Sequence, residues 1–236
     1  MTFKQKITAA SRGERAESLP FFHYWRHSSV GEAERECRNR GLGIGWIRPP
    51  HTTILHDVDV EETRAVVNGR SVIRTTFRTP LGSLYQDEVR DPGVYQWKMN
   101  RGWTGNTPLK TSHMVKTLDD YKILNHIIRN TEYKPDYFPI EQAMDWLGED
   151  GIVLAGLTYS PMQSLLFEYV GCDGEGNIYL HQFDNPDVVE ETYRTLCESR
   201  EPLYEIAARS PADIVMCGDN IDSVIIPPDW FERFTL

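Results

Sequence analysis

Polar and aromatic side chains follow each of four short apolar runs in this chain of 236 residues. The last run, 212–217, leads directly into Gly218-Asp219-Asn220. The side chains that end or follow these runs are Trp25, Arg26, Arg48, Tyr159, Asp219 and Asn220. Two arginines, a carboxylate, an amide and aromatic rings suit an anionic, partly apolar ligand, because guanidinium groups pair with carboxylates.

These six residues divide into two predicted roles. We interpret Asp219 and Arg26 as the catalytic candidates, with Asp219 either accepting ligand N–H groups or acting as a base. The alternative for Asp219 is an Asx turn or a helix cap, and for Arg26 a solvated or salt-bridged surface arginine. The expected substrate-binding residues are Arg48, Asn220, Tyr159 and Trp25.

Histidine and cysteine spacing does not predict a metal site. His23 and His27 are four residues apart, a spacing that brings side chains together on a helix, but their segment has the pattern of a strand. The four cysteines are far apart in the chain and form no pair of metal-binding type. We expect no metal ligands in this chain and predict that Cys217, within an apolar run, is buried.

The apolar runs predict the elements that position these residues. The runs 19–25, 43–47, 151–157 and 212–217 are nearly continuous and alternate with helical patterns, which is typical of parallel strands covered on both faces. Ligands of such α/β folds bind at the carboxyl ends of the strands. Barrels and doubly wound sheets both fit. No run is followed by the glycine-rich turn expected of a nucleotide-binding doubly wound sheet.

The helical patterns carry two local signals. Ser160-Pro161 predicts a helix start with Ser160 as N-cap, and Asn185-Pro186 starts the longest helix, toward Arg209. Pro202 lies inside this helix and is expected to kink or split it.

Residues 52–110 interrupt the alternation and predict an inserted antiparallel meander. Asn68-Gly69 between β-branched runs indicates a hairpin, because both turn residues need positive φ. Further strands are expected at 83–89 and 94–99. The aromatic residues of this segment predict packing on the domain or across a subunit contact; they are Tyr85, Tyr95, Trp97 and Trp103.

Composition excludes several classes of protein. A formal net charge of −10 argues against a non-specific nucleic-acid binder. No stretch approaches the roughly 20 apolar residues of a membrane span, and the N-terminal residues lack the apolar core of a signal peptide. We therefore expect a cytoplasmic protein that binds neither nucleic acid nor membrane.

Several segments resemble the uroporphyrinogen decarboxylase superfamily. The resemblance covers most of the chain and is carried by Leu19–Phe22 with Arg26, Arg78–Ser83, Leu157–Met162 to Gly171, the helix after Asp184-Asn185-Pro186, and Ala212–Asn220 followed by Ile226–Phe231. It implies a (β/α)8 barrel of TIM type, of which residues 1–236 would supply the first four βα units with the meander inserted. A barrel of this type needs about 250 residues without insertions.

The resemblance also implies an activity. Arg26 matches one arginine of the decarboxylase's pair, but Ser28-Ser29-Val30-Gly31 supplies no second, and Phe167 lies about where that enzyme has a tyrosine. These departures favour the divergent branch, whose members transfer a methyl group between a corrinoid and an acceptor. Decarboxylation of uroporphyrinogen is the alternative. A tetrapyrrole or a corrinoid protein would be the partner, and the zinc of that branch would be bound by residues after Leu236.

A non-enzymatic interpretation stays open beside these two. The chain could be an inactive half-barrel that binds a partner or forms a homodimer, because a bare strand edge after the fourth strand would favour pairing.

Overall fold

A computed structural model describes residues 1–25, 31–89, 109–172, 174 and 176–235. Its strands are β1 (Phe21–Tyr24), β2 (Leu42–Arg48), β3 (His51–Leu55), β4 (Asp59–Val67), β5 (Arg70–Thr79), β6 (Gly82–Val89), β7 (Leu109–Ser112), β8 (Thr131–Pro135), β9 (Gly151–Leu157) and β10 (Ile214–Cys217). Its α-helices are α1 (Phe3–Ser11), α2 (Glu32–Asn39), α3 (Asp120–Arg129), α4 (Phe138–Leu147), α5 (Pro161–Ser164), α6 (Ile178–Asp184), α7 (Pro186–Ala208) and α8 (Pro228–Phe234).

The four predicted buried runs form one parallel sheet. Its strand order is β1-β2-β9-β10, and each neighbouring pair is parallel. The sheet is curled, as in half of a barrel, within a mixed α/β structure. The prediction of four parallel strands is confirmed. The apolar side chains of β2 and β9 on one face pack against α4, where Ile140 and Ala143 are almost completely buried.

The two outer strands of this sheet are less buried than their sequences suggested. Phe21 of β1 is 71% exposed and Val215 of β10 is 47% exposed. The prediction that both strands are covered on both faces is therefore wrong, and so is the prediction that Cys217 is buried, because its side chain is exposed. Strand order explains the difference: β1 and β10 are the edges of the sheet, and only the central β2 and β9 have a strand on either side.

Helix α1 packs at the amino-terminal end of the sheet. Lys4 forms a 2.8 Å ion pair with Asp213, which also accepts a hydrogen bond from the Val153 amide. The Phe3 ring lies over Gly43, in space that a side chain at position 43 would fill. These contacts leave the opposite, carboxyl-terminal end of the sheet for a ligand.

The predicted meander is an antiparallel sheet with the strand order β4-β5-β6-β7. The hairpin prediction is confirmed, since Asn68 and Gly69 have φ values of 50° and 76° and connect β4 to β5. This sheet packs through Leu84 and Phe77 into the largest hydrophobic core, which also contains Leu124 of α3. The strand predicted at 94–99 and the aromatic residues Tyr95, Trp97 and Trp103 lie outside the described residues.

A separate two-stranded antiparallel pair joins β3 to β8. The sequence did not predict β8, whose residues Thr131–Pro135 are mostly polar.

Helix α7 is the longest helix and begins at Pro186, as predicted. It continues without a break through Pro202, so the alternative in which proline splits it is wrong. Leu196, Leu203 and Ala207 are almost completely buried on both sides of Pro202. This packing stabilises the helix across the backbone hydrogen bond that proline removes.

Candidate functional site

The carboxyl ends of the four parallel strands lie at the same end of the sheet. The register pairs Arg48 with Ala155 and Cys217 with Leu157. Five of the six predicted site residues follow or end these strands in the structure, and we call them the strand-end site: Trp25, Arg48, Tyr159, Asp219 and Asn220. The sixth, Arg26, lies outside the described residues.

Arg48 belongs to an aromatic cluster at one side of the strand-end site. Its guanidinium carbon lies 4.3 Å from the centre of the Trp46 ring, a cation–π distance. Trp25 stacks on the same Trp46 ring, with the two ring centres 4.9 Å apart. Arg48 Nε is buried and has no hydrogen-bond partner among the described residues. Burial also lowers the pKa of Arg48, although a guanidinium stays charged at neutral pH. Arg48 as a whole is half-buried, so an anionic group would reach its guanidinium through atoms other than Nε.

Asp219 lies at the other side of the site, where its carboxylate contacts the turn that follows β9. Its Oδ1 accepts a 2.7 Å hydrogen bond from the Ser160 amide. The Cys217 Sγ lies 3.7 Å from the same oxygen and 3.5 Å from the Thr158 carbonyl oxygen, so its single hydrogen has two possible acceptors. Asp219 Oδ2 accepts no hydrogen bond from any described residue. One carboxylate oxygen therefore binds the backbone of the turn after β9, while the other accepts no hydrogen bond from a described residue. No ion pair joins Asp219 to Arg48, although the structure describes both.

Asn220 is fixed by its backbone and not by its side chain. Its amide donates to Gln163 Oε1 at 3.0 Å, and Gln163 Nε2 donates to the Asn220 carbonyl at 2.7 Å. Gln163 is completely buried, whereas Asn220 is exposed. The Asn220 side chain therefore lies at the surface beside Asp219, on a loop that α5 holds in place.

Tyr159 contributes both a ring and a carbonyl group. Its ring packs on Phe167 with the ring centres 5.4 Å apart. Its carbonyl oxygen accepts hydrogen bonds from Arg200 Nη1 at 2.6 Å, Thr158 Oγ1 at 3.2 Å and Ser164 Oγ at 3.3 Å. Ser160 follows as the residue before α5, which starts at Pro161 as predicted. The Ser160 hydroxyl, however, makes no capping hydrogen bond.

Arg200 is the residue of this region that the sequence interpretation missed. It is 1% exposed, donates from Nη2 to Ser164 Oγ at 2.8 Å, and lies 3.8 Å from Glu168 Oε2. A signal for it exists in the sequence. Arg200 falls between Leu196 and Leu203 at the helical spacing of the buried face of α7, where an arginine is unusual.

The segment after α5 departs from the expected regular helix. Leu165–Tyr169 forms a π-helical turn, a feature often found next to functional sites. Burial raises the pKa of Tyr169 to about 12, against the lowering effect of the Arg200 charge. The Tyr169 carbonyl accepts from the Val115 amide at 2.9 Å. This turn therefore links the end of β9 to the segment that follows β7.

No group of three histidine, cysteine, aspartate or glutamate side chains in the described part of the chain could hold a metal ion. Two surface grooves lie elsewhere, one of about 310 Å³ beside Ile226 and Phe231 and one of about 520 Å³ beside Arg129 and Arg194. Neither contains a residue of the strand-end site.

Comparisons with known proteins give no relative for this chain. A scan against protein-family models, a search of curated proteins and a search of solved structures each find no match. Among the described residues, no helix combines the length and the apolar character that crossing a membrane requires.

Proposed function

We propose that the parallel sheet is part of a (β/α)8 barrel of the uroporphyrinogen decarboxylase superfamily, and that its strand-end site binds a tetrapyrrole-linked substrate. The observation that carries this proposal is the strand order β1-β2-β9-β10, in which the four strands of this sheet lie side by side in the order in which they occur in the chain. Strands succeed one another in this way around a barrel, whereas the order of a doubly wound sheet reverses at its ligand crevice.

The side chains at the strand ends match the chemistry of this substrate class. A tetrapyrrole has a broad apolar ring, which suits the half-buried ring of Trp25. Its carboxylates would pair with the guanidinium of Arg48, a half-buried side chain. Its ring N–H groups would donate to Asp219, whose Oδ2 accepts no hydrogen bond from a described residue. The Tyr159 ring would form the wall between these two groups of residues.

Corrinoid-dependent methyl transfer is the reaction we favour, with decarboxylation of uroporphyrinogen as the alternative. A corrinoid protein and zinc would then be the partner and the cofactor. The described residues offer no three-ligand group, so none of them is assigned to zinc. In either reaction the role of Arg48 and Asp219 is to bind and orient the tetrapyrrole.

Calorimetric titration of the purified protein tests this proposal, with uroporphyrin and hydroxocobalamin as separate probes. We expect one of them to bind with a Kd near micromolar, about −8 kcal/mol. Arg48→Gln should weaken uroporphyrin binding about tenfold, since each tenfold change corresponds to about 1.4 kcal/mol. Loss of methylcobalamin absorbance in the presence of a thiol acceptor would then identify methyl transfer, and release of CO₂ from uroporphyrinogen would identify decarboxylation.

Arg78→Gln is the matched control, because Arg78 is a half-exposed arginine on β5 of the four-stranded antiparallel sheet. It should leave binding unchanged. The proposal is wrong if neither probe binds, or if Arg78→Gln weakens binding as much as Arg48→Gln does.

A further inference from the structure

The peptide group between Tyr159 and Ser160 is bound at both ends. Its carbonyl oxygen accepts the 2.6 Å hydrogen bond from Arg200 Nη1, and its N–H donates the 2.7 Å hydrogen bond to Asp219 Oδ1. A peptide group is planar, so its C=O and N–H point in opposite directions and rotate together. The direction of the carbonyl toward Arg200 therefore fixes the direction of the N–H toward Asp219.

Arg200 is well placed to control this peptide. Its guanidinium fork also donates to Ser164 Oγ at 2.8 Å, so it spans the turn from the end of β9 to the last residue of α5. It is 1% exposed, and its Nε has no partner among the described residues. A buried charge with an incomplete set of hydrogen bonds is costly for stability, and simple packing would be served better by an apolar side chain at this position.

We propose that Arg200 is a positioning residue that holds Asp219 in the strand-end site through the Tyr159–Ser160 peptide. Arg200 binds the carbonyl, the peptide transmits its orientation, and the Ser160 amide holds Asp219 Oδ1 while Oδ2 is left for a ligand. The link from Arg200 to Asp219 is carried by the hydrogen bonds described above. That Asp219 is held there for a ligand rests on the proposed function.

Cys217 supplies a readout that does not depend on any activity. Its Sγ lies 3.7 Å from Asp219 Oδ1. Cys217 is exposed, so alkylating reagents reach it. Partial burial raises the pKa of Cys217, and the neighbouring Asp219 raises it further. The Arg200 charge and the Ser160 backbone lower it directly, so only the change that Asp219→Asn causes within each background is compared. Asp219→Asn should therefore lower the Cys217 pKa, provided that Asp219 lies beside the thiol.

The experiment is a double-mutant cycle. The rate of Cys217 alkylation by iodoacetamide is measured across the titration range of the thiol, with peptide mass spectrometry to separate the four cysteines. Asp219→Asn is compared in the wild-type and the Arg200→Met backgrounds. We expect Arg200→Met to reduce the effect of Asp219→Asn on the Cys217 pKa to about half or less, because Asp219 is no longer held.

Two further variants keep the test decisive if Arg200→Met does not fold. Arg200→Lys retains the buried charge, but an ammonium cannot reproduce the fork that binds Tyr159 and Ser164. Ser160→Pro removes the N–H donor together with a hydroxyl that has no hydrogen-bond partner among the described residues. Ser160 already has φ −55° and ψ 161°, which proline adopts readily. Both should reduce the effect of Asp219→Asn. Arg194→Met, an exposed arginine of the same helix, should leave it unchanged.

The outcomes separate this inference from the proposed function. An undiminished effect of Asp219→Asn in Arg200→Lys and Ser160→Pro would overturn the positioning role. A diminished effect in a protein that binds neither uroporphyrin nor hydroxocobalamin would leave the positioning of Asp219 standing and remove the proposed function.

Discussion

At the scale of single residues, two buried charges depend on specific partners. Arg200 is held by a carbonyl, a hydroxyl and a carboxylate more than 30 residues away in the chain. Asp87 is 2% exposed, and Arg74 donates to both of its oxygens at 2.8 Å. Arg74 also lies over the Tyr85 ring, 4.2 Å from its centre. A carboxylate taken out of water in this way is tolerated only while its partner stays in place.

Removing Arg74 should therefore destabilise the antiparallel sheet. Breaking a fully buried ion pair costs about 3–5 kcal/mol, but the Arg74 side chain is 35% exposed, so solvent screens part of the interaction. We expect Arg74→Leu to lower the free energy of unfolding by about 2 kcal/mol, measured by urea denaturation.

Arg78 on the same strand provides the comparison. Its ion pair with Glu61 is about half exposed at both partners, so Arg78→Leu should change stability by less than about 1 kcal/mol. Equal losses in the two variants would show that burial of Asp87 does not govern the strength of its ion pair.

At the scale of elements, close approach between backbones determines how the central strands pack. A side chain at Gly151, the first residue of β9, would place its Cβ 2.5 Å from the Ile44 carbonyl oxygen of β2. A backbone atom cannot move aside as the tip of a flexible side chain can. Glycine at this position therefore allows the two central strands of the parallel sheet to pair in the observed register.

Gly151→Ala should separate these strands and lower the free energy of unfolding by about 1–3 kcal/mol. The measurement is the urea midpoint at unchanged slope. Gly218→Ala is the control, since position 218 has open space within 4 Å and no positive φ, and it should shift stability by no more than about 0.5 kcal/mol. A harmless Gly151→Ala would contradict the close approach of β2 and β9.

At the scale of the whole molecule, the parallel sheet has two edges with apolar character. Neither β1 nor β10 contains a lysine, arginine or carboxylate, the residues that usually protect strand edges from pairing. Phe21 and Val215 on these strands are 71% and 47% exposed. We propose that copies of the chain associate through these edges. The homodimer expected from the sequence would use the edge at the fourth strand, β10.

Size-exclusion chromatography with light scattering tests this association over a range of protein concentrations. We expect the average mass to rise with concentration, and Val215→Lys to suppress the rise because a charged side chain opposes edge pairing. Val66→Lys is the control. It replaces a 75% exposed valine on β4, an edge strand of the four-stranded antiparallel sheet, and should have little effect. A monomer at every concentration would exclude the association.

Local sequence was sufficient for the elements whose physical cause lies within a few residues. Nearly continuous apolar runs gave the four parallel strands, positive φ at Asn68-Gly69 gave the hairpin, and Pro186 gave the start of α7. Asp219 and Tyr159 could be placed at strand ends for the same reason, because a parallel strand fixes which of its ends faces a site.

Tertiary structure decided the features that depend on distant partners. β8 is mostly polar and forms a strand because β3 pairs with it. The paired residues are far apart in the chain, and Leu55 with Thr131 is the pair with the smallest separation. The exposure of Cys217 follows from the position of β10 at the edge of the sheet. Arg200 joins the site only because α7 packs beneath the end of β9. A sequence records which side chains are present, but hydrogen-bond partners and edge positions are set by the packing of segments far apart in the chain.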